Sequence, residues 1–330
     1  MVTHALGFAA LRIVNDTGLP YTSHRPLLSI GSAANKTIGR GRLGTRESVE
    51  GAVPGSPDLP GLSAIAAGFV QARLQGAALA GFPGEIPADL VTAYRVQDLA
   101  IARWPDRVAG WKVGYIAAER RDASGDERLL GPIFARGLLP ALDGEVRIPV
   151  FVGGFAAIEA EYVLQLLADA PADKTDWTGE EAASMPATLH VGIEVASSPL
   201  ATINVLGPRV VVSDFGNNNG LVLGREIADW KSMAEDRLTC ATFIEDRQVG
   251  TGGATTLPGG LRAAFAFALS RSARRGRPLK AGDLIATGNA TGIHDIVAGQ
   301  RGRISFDGFG DIHCRAMPAT PLQMQAGSGA

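Results

Sequence analysis

Two glutamates spaced two residues apart carry the first chemical signal in this chain. In the stretch 155–167, read as a strand, Glu159 and Glu161 leave one face, and Ile158, Ala160, Tyr162, Leu164 and Leu166 leave the other. Carboxylates at i and i+2 project in parallel and can converge on one ion. Buried together without a cation they repel, and one keeps its proton. The alternative is a solvated acidic face. A second stretch, 189–196, alternates in the same way and puts Glu194 on its polar face with His190. Three carboxylates from two strands form an all-oxygen set suited to Mg²⁺ or Mn²⁺, with water or substrate oxygens completing an octahedron. Zinc is disfavoured, because no cysteine or histidine pair accompanies them. His190, near a strand start, is read as a hydrogen-bonded histidine.

Three further segments supply groups that bind or move charge. Lys112 lies in the short apolar strand Gly110-Trp-Lys-Val-Gly114, where an ammonium must snorkel, pair with an anion or sit in a pocket. Beside a metal site it becomes the candidate catalytic residue, holding a substrate carboxylate or transferring a proton. The polar run 213–220 contains Asn217 and Asn218, which serve either as a turn or as amides lining a site. The run Thr287-Gly-Asn-Ala-Thr-Gly292 follows a strand, and Thr287, Gly288 and Thr291 are candidates for orienting substrate through hydroxyl and backbone N–H groups. It is not a phosphate-binding loop, since no Gly-Lys-Ser/Thr follows. The chain also has no GxGxxG after a first strand and no GxSxG elbow, so dinucleotide chemistry and serine hydrolysis are poorly supported.

The elements that must position these residues follow from periodicity. Ile65, Phe69, Ala72 and Leu74 predict a helix from Leu62. Val91, Tyr94, Val96, Leu99 and Ile101 predict another over 88–103, stopped by Pro105. Strands are expected at 110–115, 146–152, 155–167, 189–196, 208–213, 238–244, 283–287 and 302–315, the last with an Asp307-Gly308 turn. A helix starts near Pro258, has Leu261, Phe265, Ala268 and Leu269 on its apolar face, and ends at Arg274 and Arg275. Strands dominate after a helical prelude, without βαβ alternation, which favours an α+β fold.

Composition narrows the function classes. With 31 basic and 33 acidic residues among 330, the chain lacks the charge for a nucleic-acid or anionic-membrane partner, and 6% aromatics leave little for base stacking. A hydrophobic content of 46% fills a sizeable core, and 42 glycines fit many tight turns. Two cysteines make no disulfide framework, and no apolar run reaches the ~20 residues of a membrane span, so a cytoplasmic location is expected. Residues 1–58 carry Arg40, Arg42 and Arg46 among scattered Gly, Ser, Thr and Pro, without periodicity. They are read as an unstructured tail or a start placed too far upstream, in preference to a mitochondrial-type leader.

Taken together, Gly110–Gly114, Gly131-Pro-Ile-Phe134, Ile158-Glu-Ala-Glu161, Ile193-Glu-Val195, Asp214–Leu223 and Leu279–Gly288 resemble the fumarylacetoacetate hydrolase superfamily. Within it the likeness is to the 2-keto-4-pentenoate hydratase / 4-oxalocrotonate decarboxylase branch, over about residues 60–316. The resemblance implies a mixed β-roll core, here 109–320, behind a helical segment 59–108 and ahead of a short tail 321–330. It implies a divalent metal on Glu159, Glu161 and Glu194, with Lys112 near the substrate, and a homo-oligomer. The implied substrates are small 2-oxo or 2-hydroxydienoic acids of aromatic catabolism. The expected activity is hydration of a 2-hydroxy-2,4-dienoate. The rivals are decarboxylation of a 4-oxalocrotonate-like diacid, C–C hydrolysis of an acylpyruvate, and keto-acid binding without turnover. One departure bears on the choice. Members of that superfamily carry an acid two positions before the proline of the Gly131–Phe134 segment, and this chain has Leu130 there, after Leu129. A proton-handling role then falls to Lys112, Glu119 or Asp214. The charged stretch 119–128 is read as a solvated loop, with a lid as the alternative.

Overall fold

A computed structural model describes residues 59–141 and 144–322, so the tail expected at 1–58 and most of that at 321–330 lie outside the described residues. In chain order the elements are α1 (Leu59–Gln75), α2 (Leu90–Arg103), β1 (Val108–Tyr115), β2 (Arg128–Phe134), β3 (Leu138–Pro140), β4 (Glu145–Val150), β5 (Phe155–Leu166), α3 (Gly179–Ser184) and β6 (Ala187–Ser198). There follow α4 (Ile203–Leu206), α5 (Pro208–Ser213), β7 (Asn218–Glu226), β8 (Thr239–Ile244), β9 (Arg247–Gly253), α6 (Gly260–Arg274), β10 (Leu284–Ala286), β11 (His294–Asp295), β12 (Arg301–Phe306) and β13 (Gly310–Pro318). The strands form two mixed sheets. One runs β2-β1-β10-β5-β6-β7-β3, with β11 on β5, and the other runs β4-β13-β12-β8-β9. The fold is α+β.

The long antiparallel pair β5–β6 is the spine of the larger sheet. Its register sets Glu159 directly opposite Glu194 and Glu161 opposite Gly192. Ile158, Tyr162, Leu164, Leu189, Val191, Ile193 and Val195 point into the main core. The opposite face is also covered. Val163 there joins Ile133, Leu221, Leu284 and Ala286 in a second, smaller apolar cluster. Strand β10 is wedged between β1 and β5, parallel to the first and antiparallel to the second, and its register brings Lys112 level with Ala286. The glutamates and Lys112 therefore share one face of one sheet.

Local chemistry explains most elements and most departures from the sequence reading. In α2, Leu90, Ala93, Tyr94, Gln97, Ala100 and Ile101 form the buried stripe, whereas Val91, expected inside, is 54% exposed. Gln97 takes the central position because its amide donates to the carbonyls of Leu130 and Val212, which packing alone leaves unpaired. The segment 208–213, expected as a strand from its three valines, is helix α5. Gly207, at φ +104°, turns the chain, and Pro208 occupies the first helical turn with its φ already set. Burial of Val210 and Val212 then overrides β-propensity. Strand β2 was not apparent from its Gly-Pro pair. It lies at the edge of the sheet, where a proline costs no ladder bond.

One glycine couples this edge to the site. A Cβ on Gly131 would sit 2.2 Å from the carbonyl oxygen of Phe215 and collide with the Gly216 backbone. Only a glycine lets the turn carrying Asn217 lie this close to β2.

Candidate functional site

All three glutamates are buried, which excludes the solvated acidic face: Glu159 is 2% exposed, Glu161 and Glu194 0%. One carboxylate oxygen from each lies within 4.8 Å of the others. Glu161 and Glu194 spend their second oxygens on positioning. Glu161 Oε2 accepts the Gly288 N–H at 2.7 Å. Glu194 Oε1 accepts from Asn218 Nδ2 and pairs with Lys112 Nζ, both at 3.2 Å. Glu159 shares its cavity wall with Asn289. The remaining oxygens, Glu159 Oε1, Glu161 Oε1 and Glu194 Oε2, have no hydrogen-bond partner.

The electrostatics of this cluster are lopsided. Burial raises the carboxyl pKa of Glu159 against the pull of Lys112. It raises that of Glu161 well above the ordinary range, reinforced by Glu194 and Glu159. It also raises Glu194, with Lys112 opposing. Burial alone would lower the Lys112 pKa, but Glu194, Glu159 and Glu161 together outweigh it and hold the ammonium above its usual value. Fully ionised, three carboxylates and one ammonium leave two negative charges uncompensated in a buried space, and buried charge persists only when paired. Three unpartnered oxygens and a missing double positive charge are what a hard divalent cation would satisfy. The residues present therefore fit such an ion.

Beside the cluster is a cavity of about 190 Å³. Lys112, Glu159, Asn217 and Asn289 form its polar wall, and Leu129, Val211 and Ile293 part of its apolar one. Asn217 accepts a hydrogen bond from Lys112 Nζ at 3.2 Å and donates to Asn204. Asn218 faces Glu194 instead of the cavity. Thr287 is buried, and its hydroxyl donates to the Tyr162 carbonyl, fixing the end of β10. Thr287 and Gly288 line an adjoining cavity that shares Asn289 and Tyr115 with the first. Thr291 is not brought to the site. Its hydroxyl is engaged by Thr242 at 2.7 Å and His294 at 3.2 Å. The site residue of this loop is Asn289, one position beyond Gly288, where the chain leaves β10. His190 is satisfied by Thr188 and the Gly224 carbonyl.

The structure separates the three groups named in place of the missing acid. Pairing of β1 with β2 puts Leu129 opposite Gly114, on the Lys112 side, and Leu130 opposite Val113, on the other. Leu130 is core, and Leu129 is the residue that meets the cavity. Glu119 is exposed in a single turn, Ala118–Arg120. Asp214 is fully buried, held by Arg73 at 2.5 Å and by Ser198 at 2.6 Å. Only Lys112 faces the cavity.

Arg73, on α1, is a positioning residue that sequence reasoning missed, because nothing in a helix marks one arginine as buried. Its guanidinium also donates to the carbonyls of Asn218 and Ser197, tying the Asn217–Asn218 turn to β6. Arg73→Met strands the Asp214 carboxylate and should cost about 3–5 kcal/mol, the usual cost of breaking a buried pair. Chemical denaturation measures this. A loss below about 1 kcal/mol would mean that the pair does not hold the turn.

The fold is the one implied by the resemblance to the fumarylacetoacetate hydrolase superfamily. Among solved structures, the 4-oxalocrotonate decarboxylase from Pseudomonas putida G7, complexed with magnesium and adipate, aligns with a TM-score of 0.64 at 18% identity, covering 78% of this chain and 97% of that one. Its complex with calcium and acetate aligns at 0.63, with 18% identity and coverage of 79% and 99%. Fumarylpyruvate hydrolase from Pseudomonas aeruginosa, with Mn²⁺ and pyruvate, aligns over 64% of this chain and 90% of its own at 15% identity and a TM-score of 0.45. No family model matches the chain, and no curated protein matches its sequence. No helix among the described residues is long and apolar enough to cross a membrane.

Proposed function

We propose that this chain is a divalent-metal-dependent lyase of short 2-oxo acids, and that its reaction is decarboxylation of a vinylogous 2-oxo diacid. The observation that carries this reading is the trio of buried glutamates, each presenting an unpartnered oxygen beside Lys112, at a cavity whose described walls hold no acid other than Glu159. Mg²⁺ or Mn²⁺ held by Glu159, Glu161 and Glu194 would supply Lewis-acid polarisation of a 2-oxo group. Lys112 holds a substrate carboxylate or returns a proton to carbon, and Asn217 fixes its ammonium. Leu129, Val211 and Ile293 keep water from the reacting carbons. In the reaction the C–C bond to the departing carboxylate breaks. Its electron pair passes into the conjugated 2-oxo system, carbon dioxide leaves, and a proton replaces it.

Hydration, expected from the sequence, uses the same substrate head but needs a group to manage the protons of water. With Glu119 exposed and Asp214 locked to Arg73, that task rests on Lys112 alone. Hydrolysis of a C–C bond calls for a histidine–carboxylate pair. His294 is instead hydrogen-bonded to Thr291, and it does not line the cavity. The fold likeness to a decarboxylase supports the first choice, as analogy. The test is the full chain with Mg²⁺ or Mn²⁺ and, in parallel, 2-oxohex-3-enedioate and 2-hydroxypenta-2,4-dienoate, with products identified by mass. Loss of carbon dioxide supports the proposal, and gain of water returns the hydratase. Metal binding without turnover leaves a keto-acid-binding protein. Assembly as a homo-oligomer belongs to the same proposal and is read by light scattering.

A further inference from the structure

Arg120 closes the turn Ala118–Arg120 and lines the same cavity as Lys112 and Glu159. Its Nη2 donates to the Val205 carbonyl at 2.8 Å, which lays the guanidinium across from β1 to α4. It makes no ion pair among the described residues, unlike its neighbour Arg121, which pairs with Glu127. Gly207 gives it room, since a Cβ there would stand 3.3 Å from Arg120 Nη2. The cavity thus has a buried polar wall with an ammonium and a carboxylate, an apolar wall, and an exposed guanidinium on its rim without a counter-charge.

We propose that Arg120 is the specificity-determining residue of the site, receiving the distal carboxylate of a 2-oxo diacid whose head lies against Lys112. The inference rests on the 2-oxo-diacid reading above and names the residue that recognises the far carboxylate in the bound substrate, a contact that is given up as that group leaves as carbon dioxide. A guanidinium matches a carboxylate by two parallel hydrogen bonds.

The test compares two unreactive ligands that share a 2-oxo head and differ only at the far end, 2-oxohexanedioate and 2-oxohexanoate. Each is titrated calorimetrically into the metal-loaded full chain, wild type, Arg120→Met and Arg120→Lys. Wild type is expected to prefer the diacid. Arg120→Met should lose about 10- to 100-fold in diacid affinity, the range for a charged hydrogen bond, with binding of the monoacid unchanged. Arg120→Lys should recover part of the loss. Equal weakening of both ligands would make Arg120 a latch to Val205 and overturn the proposal, and so would no weakening of either. If wild type binds neither ligand, the 2-oxo-acid reading falls as well. If it binds both equally, only the Arg120 assignment falls.

Discussion

Replacing Glu161 with glutamine is expected to lower divalent-metal affinity by at least about two orders of magnitude while making the metal-free protein more stable. Even groups that only support a metal ligand are worth about 10- to 100-fold in affinity, so a direct ligand sets a higher floor. The opposite sign for stability follows from the cluster. Glu161 is fully buried, faces Glu194 and Glu159, and has Oε1 without a partner. Glutamine keeps an oxygen for the Gly288 N–H and removes the charge. The gain is about 1–3 kcal/mol, the cost of one unsatisfied buried group. The pH dependence has a definite sign. Burial holds the Glu161 carboxyl well above its ordinary value of 4.5, so the folded state binds more protons than the unfolded one. Metal-free wild type should therefore lose stability as pH rises above about 4.5, and Glu161→Gln should lose less. Calorimetric titration with Mn²⁺ and thermal melts with and without metal give both readings. Unchanged affinity would remove the proposed metal site.

Lys112→Met is expected to lower kcat by about 10²- to 10⁴-fold, the span of a proton-transferring group, without loss of metal binding. The variant deletes a positive charge 3.2 Å from Glu194 Oε1, so affinity for a cation should hold or rise. Without metal, Glu194 is left buried and unpaired, and the fold should lose about 3–5 kcal/mol. Added Mn²⁺ should restore most of it. The two variants thus shift metal-free stability in opposite directions although their side chains belong to one cluster. The difference in sign arises because Lys112 neutralises Glu194 directly, whereas Glu161 bonds only the Gly288 N–H and adds to the excess of negative charge. Turnover within a few-fold of wild type would take Lys112 out of the chemistry.

Much of this site was legible in the chain. Alternation in 155–167 and 189–196 assigned Glu159, Glu161 and Glu194 to the non-core faces of two strands, and the structure pairs those strands. The glycines around Lys112 marked a strand in which an ammonium needed a partner, and Glu194 is that partner. What stayed hidden came from long range. Asn289 was passed over for Thr291 because both lie in one polar loop, and only the folded chain puts Asn289 on the cavity wall with Glu159 and turns Thr291 toward Thr242. Arg73 lies 141 positions before Asp214. The three valines of α5 read as a strand because β-propensity is local, whereas their helix is set by packing and by the turn at Gly207.

The sequence by itself determined which residue types occupy each face of β5 and β6, since the period of two is a property of the extended backbone at every residue. It also determined the hard, all-oxygen character of the glutamate cluster, because no cysteine or histidine pair accompanies it. Only the tertiary structure decided that the glutamate face is buried, which leaves the three carboxylates with uncompensated charge. It also decided that Leu129 and not Leu130 meets the cavity, and that Arg120 stands on the cavity wall. Burial and register depend on which distant strands and turns close over a face. That is fixed by the sum of contacts along the whole chain, and no local pattern carries it.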